Sequence, residues 1–211
     1  MGYALDLETW PRKATWLYFK DFDHPYFNIC ADMDVTHLLS HVKESHTSFF
    51  IASLYVSLRA ANEIEPFRYR MKGGGVQVHD VVHGGSTVLN EDESFSFCYF
   101  NYSEDFEQFY CNAEQVLASF KAGEKNLNPK DDMEDVIHYS VLPWVSFTSF
   151  SHARRHNKTD SIPKIVFGGY RCEGGQTKMP VSVEVHHALM DGLHVGRYFQ
   201  RFQELCNQFQ R

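Results

Sequence analysis

Residues 180–199, "PVSVEVHHALMDGLHVGRYF", join an alternating apolar segment to an amphipathic one through two adjacent histidines. Val181, Val183 and Val185 alternate with polar residues at the two-residue period of a β-strand. The residues after Asp191 follow the 3.6-residue period of a helix. This junction predicts a chain that mixes strands with helices, and it places the histidine pair where the two meet.

The rest of the chain divides in the same way. Helices are predicted over 9–19, 35–44, 47–64, 103–120 and 193–209, with Thr9 or Trp10, Asp34 and Thr47 as caps and Pro11 in a first turn. Strands are predicted from "GGGVQVHD" at 73–80 and over 94–102, 136–142, 144–150, 164–170 and 178–187. The turn "CEGGQ" between the last two predicts an antiparallel hairpin. The pattern indicates a single domain over 1–211, an α+β two-layer sandwich of helices on a mixed, largely antiparallel sheet.

Composition excludes several classes of protein. A formal net charge of −7 argues against a nucleic-acid partner. The chain contains no apolar run of the roughly 20 residues that span a bilayer, and the opening "MGYALDLETW" is not typical of a secretory signal. Its five cysteines are odd in number and form no C-x-x-C, which favours reduced thiols in the cytoplasm.

The alternation puts His187 on the valine face and His186 on the opposite face. A partly buried, neutral imidazole at 187 is a competent general base, because its ordinary pKa of about 6.5 is close to working pH. A core histidine with no chemical role fits the same position. Asp191 fits the N-cap of the last helix, and it equally fits a side chain that supports the histidine.

Other kinds of site find less support in the sequence. A metal site from His186, His187, Asp191 and His194 is disfavoured because adjacent strand residues diverge and no H-E-x-x-H spacing occurs. The chain has no G-x-S-x-G elbow of a serine hydrolase, and neither a Walker A loop nor G-x-G-x-x-G. No metal is therefore expected.

"VHHALMDGLHVGR" (185–197) together with "LPWVSFTSF" (142–150) resembles chloramphenicol acetyltransferase. The resemblance extends from "TWPRK" (9–13) to "RFQELCNQ" (201–208), essentially the whole chain. It implies the CoA-dependent acyltransferase fold, a homotrimer with acetyl transfer at each subunit interface, and acetyl-CoA as cosubstrate. The H-H-x-x-x-D-G motif alone also occurs in the acyltransferase cores of 2-oxo acid dehydrogenase complexes. Those cores work on a lipoyl module, and none fits within this chain.

The resemblance assigns roles to four residues. His187 matches the general base, which takes the proton from an acceptor hydroxyl that then attacks the acetyl thioester directly. Ser140, in "HYSVLPW", matches the serine that donates a hydrogen bond to the oxyanion. Asp191 matches an aspartate that pairs with an N-terminal arginine, here Arg12, and holds the catalytic loop.

The resemblance also assigns binding positions. Trp144 and Tyr170 match coenzyme A contacts, and Phe19 and Phe95 match aromatic positions of the acceptor pocket. The segment 152–178 carries an excess of positive charge that suits a nucleotide phosphate, although an ordinary solvated surface explains it as well. Its cations are Arg154, Arg155, Lys158, Lys164, Arg171 and Lys178.

Four acceptor-pocket positions differ from the family pattern. Asn128 stands where a phenylalanine is familiar, His152 where a leucine is, Val166 where a threonine is, and His138 where an asparagine is. These changes leave two expectations open, an antibiotic-inactivating chloramphenicol O-acetyltransferase and an acetyltransferase for a more polar hydroxyl acceptor. A non-catalytic trimeric protein that retains the fold is a third alternative.

Overall fold

The computed structural model describes residues 2–121, 126, 129–130, 133–154 and 160–210. The α-helices are α1 (Lys13–Phe19), α2 (Thr36–Glu44), α3 (Phe49–Asn62), α4 (Phe106–Lys121) and α5 (Gly192–Gln208), and a 3₁₀ turn covers Glu65–Arg68. The strands are β1 (Tyr3–Ala4), β2 (Tyr26–Asp34), β3 (Tyr69–Lys72), β4 (Gly75–Val78), β5 (His83–Leu89), β6 (Phe95–Phe100), β7 (Val136–Leu142), β8 (Lys164–Gly168), β9 (Arg171–Glu173) and β10 (Gln176–His186).

The main sheet has seven strands. Ser140 lies on its strand β7, and His187 directly follows the last residue of its strand β10. Its order is β2-β10-β8-β7-β5-β6, with β9 paired to β10, and a smaller sheet has the order β1-β4-β3. β7 runs parallel to both of its neighbours, β5 and β8, whereas the remaining pairs in the main sheet are antiparallel. The predicted mixed, largely antiparallel sheet is confirmed.

The two faces of the main sheet are covered differently. The helices pack on one face, where alternate residues of β7, β8 and β10 are apolar and fully buried, among them Ile137, Ile165 and Val183. The other face carries polar side chains. Part of it lies beneath residues 143–154 and 160–163, which we call the covering segment, because Phe147 packs against Gly168 and Pro180 there.

The helix boundaries shift by one to four residues from their predicted positions. The first helix begins at Lys13, not at residue 9, because the chain around Pro11 forms turns that Asp6 holds through Thr9. Ser48, and not Thr47, caps α3 by accepting a hydrogen bond from the backbone N–H of Ile51. Asp34 precedes the N-cap of α2 and accepts from the backbone N–H of Thr36.

The predicted strand over 144–150 is wrong. Pro143 and Trp144 form a turn directly after β7, and Trp144 is 70 % exposed. The backbone N–H of Gly169 donates to the carbonyl of Val145, so this segment folds back against the end of β8. The sequence of residues 144–150 alternates with the period of a strand, yet these residues belong to the covering segment.

The predicted hairpin is present, with one interruption. β9 pairs with β10 around Gly174 and Gly175, whose φ values of +60° and +81° suit glycine. β8 ends at Gly168, and two residues separate it from β9. Two strands of the main sheet, β2 and β5, were not predicted from the sequence. β2 pairs with β10, and β5 pairs with β6. None of the helices in the described ranges has the length and apolar character needed to cross a membrane.

Candidate active site

His187 follows directly after the last residue of β10. Its backbone N–H donates to the carbonyl of Pro25 at 2.7 Å, which continues the pairing of β10 with the segment before β2. Its ring Nδ1 lies 3.1 Å from the carbonyl oxygen of Met190. Because a carbonyl only accepts, Nδ1 carries the proton and Nε2 is left with a free lone pair. This tautomer is the one that a general base working through Nε2 requires.

Two aromatic rings fix the orientation of the His187 imidazole. Phe19, at the end of α1, is stacked on it with ring centroids 4.1 Å apart and an interplanar angle of 11°. Phe27 of β2 meets it at 4.8 Å. The two ring contacts and the Nδ1 hydrogen bond together leave the imidazole little rotational freedom.

Asp191 and Arg12 form an ion pair beside the histidine loop. The Arg12 guanidinium also reaches the backbone carbonyl of His187 at 3.5 Å. Burial disfavours the charged carboxylate of Asp191, but the nearby Arg12 and His194 outweigh it and hold the pKa of Asp191 below its ordinary value. We call Arg12, Phe19, His187 and Asp191 the catalytic corner.

Asp191 is also the N-cap of α5. Its Oδ1 accepts from the backbone N–H of Leu193 at 3.0 Å, and the Nδ1 of His194 accepts from the backbone N–H of Asp191 at 3.1 Å. Both interpretations of Asp191 from the sequence therefore apply together, because its two carboxylate oxygens serve different partners. The cap fixes the start of α5, and the ion pair ties that start to the N-terminal segment.

The two adjacent histidines lie on opposite sides of the sheet. His186 is 1 % exposed, packs edge-on against Tyr26 and accepts from the backbone N–H of Ala188 through Nδ1. His187 is only partly buried. His186 is thus the enclosed histidine of the pair, and His187 remains open to a reactant.

Ser140 lies in the middle of β7 and lines a cavity of about 580 Å³ on the polar face of the sheet. Further residues of β7 and of other elements contribute to the walls. His138 comes from β7 itself, Gly85 from β5, Tyr99 from β6 and His152 from the covering segment. We call this space the Ser140 cavity.

Both cavity histidines are neutral at ordinary pH. Burial, with Lys164 as the next contribution, lowers the pKa of His138 to about 4, although solvent reaches the ring through the cavity. Burial likewise lowers the pKa of His152 to about 4. Lys164, whose amine donates to the carbonyl of Ala153 at 3.1 Å, has a pKa that burial lowers as well.

Ser140 and His187 of one chain are far apart. Ser140 is in register with Val166, and Val166 with Ser182, five residues before His187 along β10. Strand geometry gives about 17 Å along β10 and about 10 Å across two strand spacings, and hence about 19 Å between them. The two groups of one chain cannot contact the same tetrahedral carbon.

The expected acceptor-pocket residues divide in the same way. Phe19 lies with His187, whereas His138 and His152 lie with Ser140. Phe95, on the edge strand β6, is 52 % exposed and touches Phe97, which lines the Ser140 cavity.

Val166 and Asn128 are the other two positions expected in the acceptor pocket. Val166 is fully buried, so its side chain has no surface for an acceptor within this chain. Asn128 lies outside the described residues.

The positions expected to contact coenzyme A share one surface. Trp144 is 70 % exposed, and Tyr170 is 49 % exposed and packs edge-on against Phe49. The hydrogen bond between Gly169 and Val145 joins the two segments that carry these rings. Two exposed aromatic rings on adjacent turns provide a flat apolar surface.

The described cations of the basic segment are all paired with carboxylates, and the phosphate site expected there stays a prediction. Each of its four described cations lies within ion-pair distance of a carboxylate; these cations are Arg154, Lys164, Arg171 and Lys178. Arg155 and Lys158 lie outside the described residues.

A buried ion pair that was not predicted from the sequence lies beneath the covering segment. Arg154 Nε contacts Glu184 Oε1 at 2.5 Å, and each side chain is 8 % exposed. Arg154 also reaches Asp160 at 3.0 Å and stacks its guanidinium 3.8 Å from the Tyr26 ring centroid. The signal was an acidic residue inside the valine run "VSVEV", since a buried carboxylate requires a partner.

Comparisons with known proteins find relatives over nearly the whole chain. A family model described as "Chloramphenicol acetyltransferase" matches residues 1–203. The chain is 34 % identical to a chloramphenicol acetyltransferase of Escherichia coli, over 99 % of this chain and 96 % of that protein. A solved chloramphenicol acetyltransferase superposes with a TM-score of 0.92 at 26 % identity, covering 98 % of this chain and 100 % of that one. A dihydrolipoamide acetyltransferase of Azotobacter vinelandii, at 16 % identity over 93 % of this chain and 85 % of that one, shares the fold with a TM-score of 0.66.

Proposed function

The chain belongs to the chloramphenicol acetyltransferase family and is an acyltransferase, and on that basis we propose that it transfers acetyl from acetyl-CoA to an acceptor hydroxyl. The observation that carries this proposal is the His187 tautomer. Nδ1 donates to the carbonyl of Met190, so Nε2 is free to take a proton. A general base placed in this way accelerates reactions on the order of 10²–10⁴-fold.

In the proposed mechanism, Nε2 of His187 removes the proton as the hydroxyl oxygen attacks the thioester carbonyl. The carbonyl electrons move to oxygen, and Ser140 donates a hydrogen bond to the resulting oxyanion. The tetrahedral intermediate then collapses, the C–S bond breaks, and the thiolate of coenzyme A takes the proton back from the imidazolium. One oxyanion donor is worth about 10²–10³ in rate.

We infer that each site is built from two copies of the chain. The separation of about 19 Å between Ser140 and His187 in one chain supports this inference, because both must reach one carbon. The homotrimer implied by the family satisfies the requirement, since a closed ring brings the His187 side of one copy to the Ser140 side of the next.

Phe19 of the first copy and His138 of the second would then enclose the acceptor together. We infer that the exposed rings of Trp144 and Tyr170 contact coenzyme A. Chloramphenicol is the acceptor that the family names, and its acetylation would confer antibiotic resistance.

A reducing compartment such as the cytoplasm fits the five cysteines, all of which are free thiols. The expectation of a non-catalytic protein that retains the fold disagrees with the family to which the chain belongs. Binding of acetyl-CoA should stabilise the proposed enzyme and raise its melting temperature.

The test is complementation between inactive variants. His187→Ala and Ser140→Ala chains are mixed in equal amounts, unfolded and refolded together, and thiol release from acetyl-CoA is measured with chloramphenicol as acceptor. Each variant alone should be nearly inactive. In a closed ring, about a quarter of the sites in the mixture combine an intact histidine with an intact serine, so activity should return to that level.

The matched control mixes His187→Ala with the double variant His187→Ala/Ser140→Ala, which contains no intact histidine and should recover nothing. If the mixture of His187→Ala and Ser140→Ala forms mixed oligomers but recovers no activity, the active site is not shared between two copies of the chain. Near wild-type activity of either single variant would refute the assigned chemistry.

A further inference from the structure

A row of polar side chains crosses the sheet beside Ser140. Gly85 of β5 is in register with Tyr99 of β6 and with His138 of β7, so the three share one row and one face. Ser140 is two residues further along β7, about 7 Å away. Any acceptor whose hydroxyl reacts at Ser140 therefore lies over this row.

Gly85 keeps the floor of the row open. A Cβ atom at this position would lie 3.4 Å from the Tyr99 ring and 3.5 Å from the His138 ring, so the two rings approach the glycine closely. The result is a shallow groove with a phenol on one side and an imidazole on the other.

Both groups have hydrogen-bonding capacity to spare. The Tyr99 oxygen accepts from the backbone N–H of Lys130 at 2.6 Å, which leaves its own O–H to donate. Within the described part of the chain, the His138 ring nitrogens are engaged by no partner. A neutral imidazole offers one donor and one acceptor.

The charges around the groove disfavour a cationic acceptor. Lys164 and Arg70 line the cavity, and Arg70 is fully buried with its guanidinium donating to backbone carbonyls. The two lining carboxylates are already paired, Glu134 with Lys72 and Asp160 with Arg154. A polycation entering this space meets fixed positive charge and no free carboxylate among the described lining residues.

We propose that the Ser140 cavity binds an uncharged, polyhydroxylated acceptor, whose hydroxyls away from the reacting one are hydrogen-bonded by His138 and Tyr99. This inference rests on the proposed acetyl transfer and names its substrate class. A mainly aromatic acceptor would leave the two groups without partners. Unpaired polar groups in a closed site cost about 10- to 100-fold in selectivity.

The buried ion pair holds the wall of this site in place. Arg154 ties the covering segment to Glu184 of β10, and the Tyr26 hydroxyl donates to the Asp160 carbonyl at 2.8 Å. His152, two residues before Arg154, is thereby fixed at the rim. Its Nε2 is buried with no hydrogen-bond partner among the described residues.

The experiment compares acceptors for the assembled enzyme. We would measure kcat/KM from thiol release with methyl hexopyranosides and nucleosides as neutral polyols, chloramphenicol as the mainly aromatic acceptor, and kanamycin as the polycation. The neutral polyols as a class should exceed chloramphenicol at least 10-fold, and kanamycin should be the poorest. A preference for chloramphenicol or for kanamycin would overturn the assignment.

Tyr99→Phe and His138→Phe identify the groups responsible. Each should lower kcat/KM for the best polyol 10- to 100-fold, with the KM for acetyl-CoA unchanged. Tyr102→Phe, which removes a hydroxyl outside the cavity, is the matched control and should change neither value. Unaltered polyol kinetics in both cavity variants would contradict the proposed contacts.

An error in the acceptor class can be distinguished from an error in the proposed acetyl transfer. If chloramphenicol is acetylated, complementation succeeds and no polyol is a substrate, the substrate class is wrong and the acetyltransferase stands. If complementation fails and no acceptor of any class is acetylated, both are wrong.

Discussion

The catalytic corner and the Ser140 cavity perform two halves of one proposed reaction, yet they are assembled in different ways. His187, Asp191 and the start of α5 lie within a few residues of one another, and Arg12 and Phe19 complete the corner from one short segment. The cavity takes its lining from β3, β5, β6, β7, β8 and the covering segment.

Because of this difference, we expect the two regions to tolerate amino-acid substitutions differently. The corner is over-determined, because one carboxylate both caps a helix and forms an ion pair, and one ring is both stacked and hydrogen-bonded. The cavity presents groups with unused hydrogen bonds instead. We expect chemistry to be fixed at the corner and acceptor preference to be set in the cavity.

The largest effect should follow from removing either reacting group. His187→Ala should lower kcat on the order of 10²–10⁴-fold because the general base is lost. Ser140→Ala should lower it about 10²–10³-fold because one oxyanion donor is lost. Initial rates of thiol release measure both, with His41→Ala on α2 as a control outside either region. A wild-type rate in one variant would remove that region from the reaction.

Breaking the buried pair beneath the cavity wall should have the next largest effect. Glu184→Ala leaves Arg154 buried with Asp160 alone, which should lower the free energy of unfolding by about 3 kcal/mol. In a chain of this length that corresponds to a melting temperature lower by about 6–12 °C.

The double variant Glu184→Met/Arg154→Met separates an unpaired charge from lost packing. It should recover part of the stability, because neither charge is then left buried alone. A double variant less stable than Glu184→Ala would show that the pair itself, and not the avoidance of an unpaired charge, stabilises the covering segment.

At the corner, two substitutions of Asp191 separate its two functions. Asp191→Asn retains an oxygen that can cap α5 but loses the charge facing Arg12, whereas Asp191→Ala loses both. The alanine variant should be less stable than the asparagine variant by about 1 kcal/mol, the usual worth of an N-cap. Thermal melts measure this difference, and equal melting temperatures would show that the cap contributes nothing.

The smallest effect concerns pH and His138, because this ring is exposed to the cavity and solvent reduces the contribution of its lowered pKa to stability. The folded-state pKa of His138 is about 4, below the ordinary 6.5, through burial and the charges of Lys164, Arg70 and Arg154, with Asp160 opposing them. As pH falls from about 6.5 toward 4, the unfolded chain binds a proton that the folded chain excludes, so stability decreases.

His138→Gln should therefore show a shallower fall in melting temperature between pH 7.5 and 5 than the wild type. His41→Gln controls for the loss of any one histidine. A slope that matches the wild type in His138→Gln would mean that this ring is not excluded from protonation in the folded protein.

Much of the architecture followed from periodicity. Apolar residues at helical spacing predicted α3, α4 and α5, whereas caps and Pro11 predicted α1 and α2. β7 was predicted with its observed bounds. The strand over 144–150 failed because alternation only reports which residues suit a strand, and not whether a neighbouring strand exists to pair with them. β2 was missed although Phe27, Ile29, Ala31 and Met33 alternate with polar residues in "YFNICADMD", which is the period of a half-buried strand.

For the site, alternation and the position before the last helix made His187 and Asp191 candidates, and the resemblance to a known family added Arg12 and Ser140. Only the folded sheet decided that Ser140 and His187 of one chain lie about 19 Å apart, because strand register is not written in local spacing. The fold alone also decided that Tyr99, Gly85 and His138 form one row. Residues from three strands become neighbours through hydrogen bonding between strands, a relation that no pattern along the chain records.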